Sequence, residues 1–183
     1  MKRMLIAAVL LAGVVVPVAA DEEETIRVHL VGYQETPLTI NTAGSADFKA
    51  KISPDGTAID YELTYRDLSS AVTQSHIHFG RPAITGMIVL FLCTNLGNAP
   101  ASPPNPPTQA CPETNPATIT GTLTKDNVIA RPAQGIDPGA AGFAEIIKAI
   151  RAGAAYVNVH TNNFPGGEIR SRLGTGDDNH DHQ

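Results

Sequence analysis

The chain has only two cysteines, and after its first 20 residues it has no apolar stretch of membrane-spanning length. A helix crossing the hydrocarbon core needs about 20 apolar residues, so nothing beyond the N-terminus is expected to insert in a membrane. There is no G-x-S-x-G, no H-E-x-x-H and no nucleophile beside an evident base. That removes the usual sequence grounds for a hydrolase and leaves no catalytic residue to nominate. No internal repeat is present, which sets solenoids aside. Basic residues are also few. Residues 1–20 carry Lys2 and Arg3, and without them 11 basic residues face 18 acidic ones, a formal charge of −7. This balance argues against nucleic acid and anionic membrane surfaces as partners.

What is present begins with an export pattern. Met1-Lys2-Arg3-Met4 is positive, Leu5 to Val16 is uncharged and apolar, and Pro17-Val18-Ala19-Ala20 leads into Asp21-Glu22-Glu23-Glu24. These are the parts of a signal peptide spanning 1–20, with cleavage expected after Ala20 and an acidic leader at 21–24. The alternative is an uncleaved anchor, for which the apolar run is short. The mature protein is therefore expected in the periplasm or outside the cell, where an even pair of cysteines oxidises. Cys93 and Cys111 are expected to form a disulfide around a loop, 94–110, that contains Pro100, Pro103, Pro104, Pro106 and Pro107. Their spacing is far from C-x-x-C, which disfavours a redox pair or a thiolate metal site.

The rest reads as strands. Ile26–Leu30, Ala46–Ile52 and Ile59–Arg66 alternate apolar and polar residues, and Ser53-Pro54-Asp55-Gly56 supplies a turn that makes the last two a hairpin. Gly86–Cys93 is apolar on both faces, which predicts a central strand covered on both sides. Ala117–Thr124 is rich in β-branched residues. Phe143, Ile146, Ile147 and Ile150 recur at helical spacing after Asp137-Pro138, which predicts an N-cap at Asp137 and one helix over 138–152. Ala155–Thr161 and Glu168–Leu173 close the domain. The tail 174–183 has no apolar residue and is expected to be disordered, with His180 and His182 among its aspartates. Together these predict an all-β, Greek-key β-sandwich over 25–173 with one short helix and a stapled loop. A closed barrel is the alternative.

The chemistry lies in three histidines. Successive side chains of a strand point to opposite faces, so His76 and His78 of Ser75-His76-Ile77-His78-Phe79-Gly80 share one face. Tyr156, Asn158 and His160 share one face of the later strand. If Ile77, Val157 and Val159 enter one core and the strands are neighbours, three imidazoles converge on a patch outside it. Imidazole suits copper, zinc, iron and nickel. The bland alternative is three ordinary histidines on a wet face. Asn158 and Glu168 are candidate supports that orient the rings, and for Glu168 the competing expectation is an ion pair with Arg170 or Arg172. His29 has no partner legible in the sequence.

The H-I-H-x-G strand and the Y-V-N-V-H-T hairpin ending Gly167-Glu168-Ile169-Arg170 resemble the CHRD domain, the module repeated in chordin and found in secreted bacterial proteins. The resemblance covers residues 25 to 173. It implies an extracellular immunoglobulin-like sandwich and brings no catalytic mechanism. The three histidines are also similar to the copper ligands of copper-zinc superoxide dismutases. No histidine lies between His78 and His160, however, so the bridging and zinc ligands of those enzymes have no counterpart. Three functional expectations follow: a module holding one transition metal, copper before zinc; a metal-free module that binds a secreted or periplasmic protein, with 94–110 as a contact surface; and, more remotely, a dismutase-like enzyme.

Overall fold

A computed structural model describes residues 23–100 and 107–174 of the chain. The expected signal peptide, the tail with His180 and His182, and the centre of the proline-rich loop lie outside the described residues. Eight strands form: β1 (Glu24–Val31), β2 (Ser45–Ile52), β3 (Ala58–Arg66), β4 (Val72–Phe79), β5 (Met87–Thr94), β6 (Ala117–Thr124), β7 (Ala155–Thr161) and β8 (Ile169–Leu173). One α-helix, α1 (Gly139–Arg151), precedes β7.

The strands run in the order β5-β4-β7-β8-β1-β2-β3-β6, each antiparallel to its neighbours. Between β1 and β8 the register consists of one pair, Val31 and Arg170. The sheet is thus two four-stranded halves joined at a seam, a sandwich- or barrel-like all-β fold. The halves enclose Phe48, Leu63, Tyr65, Ile77, Leu92, Val157 and Val159, all at most 1 % exposed. The β2–β3 hairpin turns at Ser53–Thr57, where Gly56 has φ of +66° and Ser53 Oγ receives the amides of Thr57 and Ala58.

Two expectations need correction. The apolar strand β5 is not central but terminal in the sheet. It is buried because other segments cover its free edge: Ile129 donates to the Val89 carbonyl, Arg131 to that of Ile88, and the Tyr61 hydroxyl to that of Leu92. Helix α1 does bury Phe143, Ile146, Ile147 and Ile150, but its N-cap is Pro138, with no side-chain cap bond, rather than Asp137. Cys93 and Cys111 are bonded, with S–S 2.02 Å and Cα–Cα 5.0 Å. Asn95 holds this staple in place, accepting from the Cys111 amide at 3.0 Å and donating to the Val72 and Cys111 carbonyls at 3.1 Å.

Candidate metal centre

β4 and β7 are neighbours, and their ladder pairs His76 with Asn158, His78 with Tyr156 and Gln74 with His160. His160 therefore lies diagonal to His76 on one face, within reach of ring side chains. Against β5 the register of β4 shifts at Ser75/His76 and again at Ile77/His78, irregularities of the kind that re-aim side chains. The ring centroid of His76 is 4.6 Å from that of His78 and 4.6 Å from that of His160. One ligand nitrogen from each ring can be chosen so that all three lie within 4.8 Å of one another. Nitrogens bound to one ion at 2.0–2.1 Å in tetrahedral geometry are about 3.4 Å apart, so the widest pair needs to close by up to about 1.5 Å.

The face expected to be wet is buried. His76 is 0 %, His78 7 % and His160 6 % exposed. Two loops roof the rings, and they do so through backbone carbonyls. The Gly86 carbonyl lies 2.9 Å from His78 Nδ1, and the Pro165 carbonyl lies 2.9 Å from His160 Nδ1. A third segment, 32–42, brings Glu35, which is 6 % exposed, beside Asn158.

These contacts fix the protons. A carbonyl only accepts, so Nδ1 of His78 and of His160 each carries a hydrogen. In the neutral His78 ring, Nε2 is then a lone pair, and it receives the Nδ1–H of His76 at 2.8 Å. His76 Nε2 is left as a bare lone pair, as is His160 Nε2, and both are buried without a hydrogen-bond partner. Such atoms are costly unless something fills them. Burial, reinforced by the neighbouring rings, pushes His76 down to about 2; burial pushes His78 down to about 4 and holds His160 below the ordinary histidine value. All three are neutral at physiological pH, the form that ligates metal.

The surroundings are ordered. The Tyr156 ring stacks on His78, centroids 4.4 Å apart and planes within 6°. The Arg170 guanidinium lies over Tyr156, with Cζ 3.4 Å from the ring centroid, and donates to the carbonyls of Ile84 and Arg81. Tyr156 Oη accepts from the Gly86 amide at 3.1 Å, so the residue that orients His78 is itself held. Phe91 meets His76 edge-on at 5.3 Å.

Asn158 stands beside the cluster as its place in the strand predicts, close enough to His76, His78 and Glu35 to bear on the titration of each, yet its Oδ1 makes no well-formed hydrogen bond. Glu168 takes neither expected role. Its fully buried carboxylate accepts from Thr42 Oγ1, the Ser69 amide and hydroxyl, and Thr161 Oγ1, at 2.6–2.9 Å. It ties loops together rather than orienting a histidine or pairing with an arginine. His29 meets its register partner Asp47 at 2.8 Å on the exposed face of β1 and β2. Glu35, Arg170 and Tyr156 are the residues that sequence reasoning missed. Alternation could have placed Tyr156 on the histidine face, whereas nothing in Gly32-Tyr33-Gln34-Glu35-Thr36-Pro37 marks Glu35 for burial.

No helix among the described residues is long and apolar enough to cross a membrane. Neither the curated proteins nor the solved structures gave a match, so the likeness to the dismutase copper site rests on histidine spacing alone. The family model of the CHRD domain matches residues 26–173, from β1 to the end of β8, and the chain therefore belongs to the CHRD domain family.

Proposed function

We propose that this CHRD domain works outside the cytoplasm and binds one transition-metal ion, copper in preference to zinc, through His76, His78 and His160. One observation carries the reading: three neutral, buried imidazoles face one another, two of them with Nδ1 tied to backbone carbonyls and two with a bare Nε2 lone pair. Tying the non-ligating nitrogen is how proteins orient metal-binding histidines. An all-nitrogen donor set favours Cu(II) over Zn(II) in the Irving–Williams order, and three protein ligands leave a further position for water or a small molecule. The disulfide agrees with an exported protein.

Metal-free protein titrated with Cu(II) is expected to take up one strong equivalent, and His78→Ala is expected to abolish it. Unchanged affinity in that variant would defeat the assignment. Metal analysis of untagged protein from the exported compartment then identifies the ion. The competing reading, a metal-free module that docks on another exported protein, draws on the exposed side chains of Tyr33, Leu38 and Leu96. It gains ground if the wild-type protein binds no ion.

A further inference from the structure

Two buried glutamates stand near the seam of this fold, and they are in opposite situations. Glu168 is saturated with four donors and is structural. Glu35 is nearly as buried, but Oε1 has no well-formed hydrogen bond, and Oε2 has a long contact of 3.4 Å from the Thr36 amide, with the Asn158 side chain close by. Of the five buried side-chain polar atoms without a partner among the described residues, four lie in this one cluster: Glu35 Oε1, Asn158 Oδ1, His76 Nε2 and His160 Nε2. Three of them, Asn158 Oδ1 and the two Nε2 atoms, are acceptors, so the cluster is short of positive charge or of protons. Room for the carboxyl has been left on purpose by the turn after His160: a Cβ at Gly167 would stand 2.6 Å from Glu35 Oε1.

We infer that Glu35 is the charge-balancing carboxylate of the histidine centre, communicating with it through Asn158, and that it releases its proton to solvent when a divalent cation binds there. This rests on the metal reading of the three histidines. Neutral imidazoles bring no charge to offset a divalent ion, and the buried group already present, the Arg170 guanidinium on β8, is itself a cation. The groups bearing on Glu35 are Arg170 from β8, Tyr156 and Asn158 from β7, and the Thr36 amide of its own loop. Burial raises the carboxyl to about 7, against the pull of Arg170, so the metal-free protein has a proton to give. The balance is simple: a carboxylic acid and a cation become a carboxylate, a bound cation and one proton passed to buffer.

The probe is Zn(II), which is redox-inert and diamagnetic. Full-length protein is titrated calorimetrically at pH 6 in two buffers of different ionisation enthalpy, which yields the number of protons released. The wild-type protein is expected to release about one proton more than Glu35→Gln and to bind roughly tenfold more tightly, the range found for groups behind the ligands. Glu35→Asp is expected to restore the proton. Equal proton counts and equal affinities overturn the inference while leaving the metal site standing; no Zn(II) or Cu(II) binding by the wild-type protein overturns both. Should Glu35→Gln fail to fold, carbon-13 NMR of the Glu35 carboxyl in the wild-type protein decides instead. Its signal is expected to move from the acid to the carboxylate position with one equivalent of Zn(II), and a stationary signal refutes the proposal.

Discussion

Lowering the pH of the metal-free protein from 6.5 to 5 should remove much of its stability, and the histidine cluster sets the size of the loss. An unfolded histidine titrates near 6.5, whereas burial holds His78 at about 4, His76 at about 2 and His160 below its ordinary value. Below pH 6.5 the unfolded chain therefore takes protons that the native cluster refuses, and stability falls as pH falls. Glu35 acts with the opposite sign. Its native value of about 7, against 4.5 for the free group, makes the native state the proton-richer one between those values. His76 and His78 against one carboxyl leave a net uptake of roughly one proton on unfolding near pH 5.5, His160 adds to it in the same direction, and each proton is worth about 1.4 kcal/mol per pH unit. The expected slope is at least about 1.4 kcal/mol per pH unit, or about 2 kcal/mol between pH 6.5 and 5, against the roughly 5–15 kcal/mol of a typical domain. The chain has no tryptophan, so urea unfolding in EDTA is best followed by circular dichroism at several pH values between 7.5 and 5. His160→Gln should flatten the slope. Stability that stays level from pH 6.5 to 5, or that rises, would refute the neutral buried cluster.

Two further outcomes follow from single contacts. Thiol titration of denatured, unreduced protein should find no free thiol, and reduction should cost about 3 kcal/mol, the loop-closure value for the 18-residue separation of Cys93 and Cys111. Gly167→Ala places a methyl group against the Glu35 carboxyl at φ of +127°, so it should cost about 1–3 kcal/mol in thermal or urea unfolding. A loss below about 0.5 kcal/mol would show that Glu35 is not held where the structure puts it.

Local rules made the strands legible. β-Branched composition in Ala117–Thr124 and alternation in Ala155–Thr161 give β6 and β7 with their observed ends, and helical spacing gives the buried face of α1. The same alternation put His76, His78 and His160 on one face, which needs only the two-residue period of a strand and the adjacency of β4 and β7. Whether that face is wet or dry is a tertiary property. Its roof comes from segments around Gly86 and Pro165, which have no periodicity and lie far apart in the chain, so no window of sequence carries the information. The position of β5 escaped for the same reason. A strand covered on both faces reads as central, and covering a free edge with the segments around Ile129 and Arg131 produces the same composition.

The saturated carboxylate of Glu168 has a consequence in time rather than in energy. Its donors on Thr42 and Ser69 are 126 and 99 residues away in the chain, and the remaining one, on Thr161, is 7 residues away. Bonds of such long range form only after the strands on both sides of the seam have come together, because the loop-closure entropy must be met before such contacts stabilise anything. The knot around Glu168 thus belongs to the last part of folding and the first part of unfolding. Removing it should leave the refolding rate nearly unchanged and shorten the lifetime of the native state, so that in this domain one buried side chain acts as a latch on unfolding.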